Sequence, residues 1–149
     1  MKPRLRFIFP FRPLVFATLS LSFSESLRAD DIYWEGPSTS SWNDVANWST
    51  DPGAATPDPA MPPGAGDMVH FSIALQPEGR TVNLMANQAV QGILTENLTG
   101  TIFLRGGNDA PVDFTIGAGG IDHQRGGLTI GTSEADRVNI LLAASHRLK

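Results

Sequence analysis

The sequence predicts an all-β fold, and three observations carry this prediction. The chain has 15 glycines and 11 prolines in 149 residues, so regular elements are expected to be short and joined by turns. Seven runs of β-branched and apolar residues alternate with such turns. Two of these runs carry nearly the same four-residue unit, which indicates a structural repeat.

The seven predicted strands follow one another at short, regular spacings between residue 67 and the C-terminus. In order, they are 68–71, 81–84, 91–94, 101–104, 113–116, 127–130 and 138–142. Each run is rich in Val, Ile, Leu, Phe or Thr, the residue types that suit a pleated surface. Regularly spaced short strands with turn residues between them are typical of all-β domains.

The repeated unit predicts how the strands are arranged. The sequence Phe-Thr-Ile-Gly at 114–117 recurs as Leu-Thr-Ile-Gly at 128–131. Short strands that end in glycine suit a partial parallel β-helix, or solenoid, whose turns stack about 4.8 Å apart. In that arrangement, Ile116 and Ile130 are expected to be buried at equivalent places in successive turns. A small β-sandwich or meander is the alternative.

Residues 1–29 have the pattern of a secretory signal peptide. Basic residues, including Lys2 and Arg12, precede an apolar run at 14–23, and small residues follow. This run is much shorter than the roughly 20 residues that a membrane-spanning helix needs. We therefore expect residues 1–29 to be removed, by cleavage after Ala29 or after Ser26, and the mature chain to be secreted or placed on the outer cell surface.

Composition excludes several kinds of partner and site. Without residues 1–29, the chain has 6 basic and 14 acidic residues, a formal charge of −8. This charge disfavours binding to nucleic acid and to anionic membranes. The chain has no cysteine, so it contains no disulfide, no lipid-attachment cysteine and no thiolate metal site. We predict no cofactor, no metal and no membrane-spanning segment after the leader is removed.

Residues 30–66 differ in amino-acid composition from the strand region, residues 67–149. They contain all three tryptophans, Trp34, Trp42 and Trp48, and a proline-rich loop from residue 51 to 66. We predict that this segment caps the N-terminal end of the repeat and buries the tryptophans, because a repeat array needs an end seal. The alternative is that the three rings are exposed and contact a glycan.

No catalytic constellation is evident from the sequence. Asp109, Asp113, Asp122 and His123 lie near glycine-rich turns, but their spacing fixes no carboxylate pair on one face. Such residues are more often turn residues that bond to the backbone. The turn at 106–109, Gly-Gly-Asn-Asp, is of a type that holds calcium in some solenoids, although it has no second copy in register. We therefore predict a protein that is not an enzyme.

An ordered series of residues resembles a known family. It comprises Trp34-x-Gly36, Trp42-Asn43, Ala46-Asn47-Trp48, the proline-rich loop, Val69-x-Phe71, Val82-x-Leu84, Val90-x-Gly92-Ile93, Ile102-x-Leu104 and the Thr-Ile-Gly repeats. Over about residues 32–145 the series resembles the N-terminal part of large bacterial autotransporter-associated β-strand repeat proteins of Verrucomicrobia and Planctomycetes. The resemblance implies a β-helical passenger on the cell surface, with no enzymatic activity assigned to the repeat.

These observations together predict an exported, non-enzymatic surface protein with a structural or adhesive role. Its expected partners are extracellular glycans or other cell-surface components. Less favoured alternatives are a glycan-binding module and a fragment of a polysaccharide-active enzyme. Members of the family run for many hundreds of residues, so we expect this chain to be truncated at its C-terminus. The last predicted strand should then offer an uncovered apolar edge through which the chain self-associates.

Overall fold

The computed structural model describes residues 29–53, 56–72, 80–96, 99–107 and 110–143. The predicted signal peptide lies outside the described residues except for Ala29. Within the described ranges, no helix is long and apolar enough to cross a membrane.

The described residues are mostly strands, so the all-β prediction is confirmed. The strands are β1 (Asp31–Trp34), β2 (Thr39–Ser41), β3 (Trp48–Ser49), β4 (Met68–Ser72), β5 (Arg80–Asn83), β6 (Gln88–Glu96), β7 (Thr101–Arg105), β8 (Val112–His123), β9 (Gly127–Ile130) and β10 (Val138–Leu142). Each of the seven predicted strands overlaps one of β4 to β10. A turn of 3₁₀ helix at Val45–Asn47 precedes β3, and the N-terminal segment supplies β1, β2 and β3, which the sequence did not predict.

The strands form two sheets. One sheet has six strands in the order β10-β8-β6-β4-β1-β3, and the other has four in the order β2-β5-β7-β9. Among the described strands, β1 and β3 pair antiparallel, and every other pair in both sheets is parallel. The first sheet is therefore mixed and the second is parallel.

From β4 onward, successive strands lie alternately in the six-stranded and the four-stranded sheet. As a result, each strand pairs with the next-but-one strand along the chain. Met68 of β4 pairs with Gly92 of β6, and Thr101 of β7 pairs with Gly127 of β9. Parallel strands need such long connections, because the chain must return to the same end of the sheet before it pairs again.

The expected register of the Thr-Ile-Gly repeat is wrong. Ile116 lies on β8 of the six-stranded sheet and pairs with Val90 and Leu142, whereas Ile130 lies on β9 of the other sheet and pairs with Leu104. Ile116 is fully buried, and Ile130 is half-buried against the same core. The two copies of the repeat therefore lie on strands of opposite sheets, since the chain visits both sheets before it returns to the first.

One apolar core includes residues from both sheets. The six-stranded sheet contributes residues such as Val69, Ile93 and Phe114, and the four-stranded sheet contributes residues such as Val82 and Leu104, all of them fully buried. They alternate along their strands with half-exposed residues, as in the pattern of β7. Each aliphatic or phenyl side chain buried in this way contributes about 1.5–3 kcal/mol relative to its exposed state.

Candidate functional site

The three tryptophans form one buried cluster. Trp48 of β3 packs edge-on against Trp34 of β1 and against Trp42, with ring centroids 4.7 Å apart in both pairs. Trp42 continues the cluster to Phe114 on β8, at 5.5 Å. Edge-to-face packing at these distances is favourable because the positive ring edge meets the negative ring face. The cluster therefore joins the N-terminal segment to the core of the strand region.

Short-range hydrogen bonds fix the segment that carries these rings. The side chain of Asp44 caps the 3₁₀ turn by accepting from the Ala46 backbone N–H at 3.2 Å. Asn47 donates its side-chain amide to the Ser41 carbonyl at 2.8 Å, and its own carbonyl accepts from the Glu35 N–H. Gly36 is required beside them, because a Cβ at this position would lie 2.5 Å from the Trp34 ring.

All three tryptophan rings are fully buried, so none offers a face to a ligand. The glycan contact considered for Trp34, Trp42 and Trp48 requires exposed rings, and burial against one another and against Phe114 removes that platform. The physical reason is that the rings pack as core residues. The polar group of Trp48 also points inward, since its indole Nε1–H donates to the Trp42 carbonyl at 2.8 Å.

A second group of side chains lies where β1, β4 and β6 run side by side. We call Asp31, Tyr33, His70 and Glu96 the His70 cluster. The His70 Nε2 atom lies 3.0 Å from Asp31 Oδ1, and Nδ1 lies 3.5 Å from Glu96 Oε2. The Tyr33 and His70 rings stack in a tilted arrangement with centroids 4.5 Å apart. Two carboxylates from different strands therefore flank one imidazole.

Burial raises the pKa of Tyr33 above its ordinary value of 10.0, and the carboxylates of Asp31, Glu96 and Asp51 raise it further. Both effects act in the same direction because each disfavours a negatively charged phenolate. Tyr33 is thus held as a neutral phenol at physiological pH. Burial likewise raises the pKa of Glu35, and the Asp58 carboxylate adds to that effect.

The sequence alone did not reveal the His70 cluster. Alternation along β1 places Asp31 and Tyr33 on one face of their strand, which is readable from the residues. Their partner lies far along the chain on β4, where Tyr33 pairs with His70 and Asp31 Oδ1 lies 3.0 Å from the His70 Nε2 atom. No local pattern predicts such a pairing, because it depends on the register between β1 and β4.

The acidic residues singled out in the sequence are dispersed along the structure. Asp113 and Asp122 lie at opposite ends of β8. Asp113 accepts from the side-chain amide of Asn139 at 2.9 Å, and Asp122 accepts from that of Gln124 at 3.4 Å. His123 contacts the Thr95 hydroxyl through Nδ1 at 2.7 Å. Asp109 lies outside the described residues, so the candidate calcium turn that contains it is only partly described.

The arrangement of the side chains limits the metal binding and catalysis that the described residues can support. Within the described ranges, no group of three or more His, Asp or Glu side chains is arranged to hold a metal ion. The Thr95 hydroxyl that meets His123 belongs to a fully buried residue, so it is not accessible to a substrate. The His70 cluster places two carboxylates from different strands against one imidazole, so its arrangement supports polar contacts between β1, β4 and β6.

In comparisons with known proteins, no family model, no curated protein and no solved structure matches this chain.

Proposed function

We propose that the chain is a partial parallel β-solenoid that acts as a non-enzymatic structural or adhesive passenger on the outer surface of a bacterial cell. Each coil would consist of one strand from each sheet and the connections between them. The observation that carries the proposal is the alignment of inward-facing side chains across parallel strands in both sheets.

Inward-facing residues form ladders across paired strands. In the six-stranded sheet, Val69 on β4 pairs with Ile93 on β6, and both are fully buried. In the four-stranded sheet, Val82, Leu104 and Ile130 occupy paired positions on β5, β7 and β9. Stacked apolar ladders of this kind are what a solenoid repeat requires, because each coil buries its apolar face mainly against its neighbours.

Parallel pairing favours this interpretation over the meander. A meander joins neighbouring strands by short hairpins, and its neighbours are therefore antiparallel. Here the neighbours β4, β6, β8 and β10 are parallel and are separated in the chain by strands of the other sheet. A sandwich of two sheets with hairpin connections does not account for that order either.

The two ends of the stack differ in a way that supports a capped repeat. At the N-terminal end, β3 pairs antiparallel with β1, and Trp34 and Trp48 are fully buried. At the other end, side chains that pair with core positions become exposed. Leu142 pairs with the buried Ile116 and is itself 72% exposed. Within the described residues, the stack is thus covered at the N-terminal end and open at the other.

A passenger role suits the rest of the molecule. The acidic charge beyond residue 29 would keep an exported chain soluble and would not draw it to phosphate-rich surfaces. The candidate carboxylates Asp113 and Asp122 are used in local hydrogen bonds and do not converge. The resemblance to surface β-strand repeat proteins points to the same role, since it implies a repeat without assigned enzymatic activity.

Export and surface location are tested by expressing the complete sequence in a bacterial host and analysing the product by mass spectrometry. We expect a mature N-terminus near Asp30, and degradation of the protein when intact cells are treated with protease. A variant without residues 1–29 is the control and should remain inside the cell. Intact protein beginning at Met1 in the cytoplasm would overturn the proposal.

The non-enzymatic role is tested separately with the purified secreted protein. Incubation with a panel of neutral and acidic polysaccharides should leave their chain lengths unchanged when these are measured by size-exclusion chromatography. Beads coated with the protein should still adhere to whole cells or to extracted surface material if the role is adhesive. Depolymerisation of any polysaccharide, abolished by Asp113→Asn or Asp122→Asn, would replace the passenger proposal with an enzymatic one.

A further inference from the structure

The two sheets carry charges of opposite sign. Among the described strands, those of the six-stranded sheet contain acidic residues but no lysine or arginine. The acidic residues are Asp31, Glu96, Asp113 and Asp122. The strands of the four-stranded sheet contain Arg80 and Arg105 but no acidic residue. The four-stranded sheet is therefore cationic, although acidic residues outnumber basic ones by 14 to 6 beyond residue 29.

The outer face of the four-stranded sheet has an aromatic ring in its middle. Ile102 and Leu104 of β7 lie in the core, so Phe103 between them lies on the opposite face of the strand. Phe103 pairs with Thr81 on β5 and with Thr129 on β9. Because threonine is much smaller than phenylalanine, the partly exposed ring is flanked by two short hydroxyl side chains on the same face.

An arginine lies against this ring. Arg105 is on the same face of β7 as Phe103, and its guanidinium carbon lies 5.7 Å from the centre of the ring. A cation–π contact at this distance restricts the orientation of the guanidinium. Within the described residues, no carboxylate lies within ion-pair distance of Arg105, and its buried Nε has no hydrogen-bond acceptor. The described part of the chain thus supplies no anion for this charge.

We propose that the outer face of the four-stranded sheet, at Phe103 and Arg105, binds a glycan that carries carboxylate groups. The Phe103 ring packs against the apolar face of a sugar, and the Arg105 guanidinium holds a carboxylate through two parallel hydrogen bonds. The Thr81 and Thr129 hydroxyls lie on strands about 4.8 Å to either side and can bond to sugar hydroxyls. The inference rests on the proposed adhesive role, because it names the class of ligand to which the chain adheres.

The low density of charge on this face favours a glycan over a nucleic acid. Arg80 pairs with the core residue Ile102 and therefore lies on the inner face of the sheet. Arg105 is thus the one charged side chain on the outer face of the described strands. Duplex DNA carries about one negative charge per 1.7 Å and needs many cations to offset the repulsion from an acidic chain. A glycan with no more than one carboxylate per sugar needs few.

The proposal is tested by isothermal titration calorimetry of the purified secreted chain with hexagalacturonate, a chain of six uronic acid sugars. Its fully methyl-esterified form is the matched ligand, because it keeps the sugar rings and loses the negative charges. Hexagalacturonate should bind at least about tenfold more tightly than the ester, since hydrogen bonds to a charged group are the stronger ones. Equal affinities, or no binding of hexagalacturonate, would overturn the proposal.

Two variants separate the contributions of the charge and the ring. Arg105→Gln should weaken the binding of hexagalacturonate at least about tenfold and abolish its advantage over the ester. Phe103→Leu should weaken the binding of both ligands about two- to tenfold, because it removes the flat ring face. Circular dichroism checks that each variant folds. If Arg105→Gln does not fold, Arg105→Lys carries the test, since it keeps the charge but cannot make two parallel hydrogen bonds and should still bind more weakly.

Arg125→Gln is the matched control. Arg125 is exposed in the turn between β8 and β9, so this variant loses the same charge without changing the outer face of the sheet. It should bind hexagalacturonate like the original chain, and hexathymidylate should bind far more weakly than hexagalacturonate. Equal losses in Arg125→Gln and Arg105→Gln, or equal affinity for the oligonucleotide, would overturn the proposal. If coated beads adhere to cells but hexagalacturonate does not bind, the passenger role stands and only this inference fails.

Discussion

The indole Nε1–H of Trp48 donates a hydrogen bond of 2.8 Å to the main-chain carbonyl of Trp42 inside the core. Trp34, whose ring packs on the same Trp48, has no hydrogen-bond partner for its own Nε1 within the described residues. The two buried indoles therefore differ in what a substitution removes. Trp48 contributes both packing and a hydrogen bond, whereas Trp34 contributes packing.

Trp48→Phe should consequently destabilise the fold more than Trp34→Phe. Both changes remove a similar volume, but only the first leaves a buried carbonyl without its donor, which costs about 1–3 kcal/mol. Chemical denaturation followed by circular dichroism measures the free energy of unfolding of each variant. Equal losses in the two variants would mean that the hydrogen bond contributes nothing measurable.

Engineered cysteine pairs should report the strand register, because the chain has no cysteine of its own. Thr115 pairs with Leu141 on the adjacent strand, so Thr115→Cys with Leu141→Cys should form a disulfide under mild oxidation. Thr115→Cys with Thr129→Cys is the control, since these positions lie on different sheets although they match in the Thr-Ile-Gly repeat. Gel mobility without reductant distinguishes the products, and cross-linking of the control pair alone would contradict the register.

The ionisation of Tyr33 can be followed directly by ultraviolet absorbance, because it is the only tyrosine in the chain. Its raised pKa predicts a midpoint above 10.0. The neutral phenol then contributes stability that is present below the pKa of the unfolded chain and is lost as the pH rises through the folded pKa. Asp31→Asn should lower the midpoint and Glu134→Gln should not, because Asp31, unlike Glu134, is among the carboxylates that act on the ring. A midpoint unaffected by Asp31→Asn would contradict the assigned electrostatic contribution.

Gly92→Ala should destabilise the six-stranded sheet by about 1–3 kcal/mol. A Cβ at this position would lie 2.9 Å from the backbone of Gly119 on β8 and 2.9 Å from the Met68 sulfur on β4. Gly53→Ala is the control, because a Cβ there meets its nearest atom at 3.6 Å. Thermal unfolding should show a lower midpoint for the first variant and little change for the second, whereas equal midpoints would show that the strands can move apart.

The chain from Asp30 onward should self-associate through the open end of the stack. Leu142 is 72% exposed on β10, which lies at the edge of its sheet, and an uncovered apolar edge promotes pairing with other strands. Leu142→Lys should reduce association measured by light scattering. Met61→Lys should not, although Met61 is 70% exposed, because it lies in a loop. A chain that stays monomeric at high concentration would show that this end does not act as an interface.

The strands of the C-terminal region were predictable because their signal is local. Alternation of residues such as Ile102 and Leu104 with half-exposed neighbours is visible within a few positions. The extent of β8 was not predictable. The glycines between 117 and 120 favour a corner, yet they lie within that strand, opposite an irregularity between Val90 and Gly92 on β6. Such a bulge depends on the partner strand, which the sequence does not identify.

Burial of the tryptophans was predicted from the sequence, but the His70 cluster was not. The cluster depends on pairing between strands that lie far apart in the chain. Clustered tryptophans are large apolar residues, and an N-terminal segment rich in them suggests an end seal without any knowledge of register. The meeting of Asp31, His70 and Glu96 requires the order of three strands and the offset between them. The register expected from the Thr-Ile-Gly repeat was wrong because it, too, depends on which strands pair. The two copies of the repeat lie on strands of different sheets, so the repeat does not indicate the pairing within one sheet.

The order of the strands has a mechanical consequence. Among the described strands, each inner member of the six-stranded sheet bonds to a neighbour on both sides, whereas β10 at the edge is held by β8 alone. A pulling force on the C-terminal strand would load the hydrogen bonds of one strand at a time. The chain should then yield in small successive steps, and the extension gained at each step would report the number of residues between one strand of this sheet and the next.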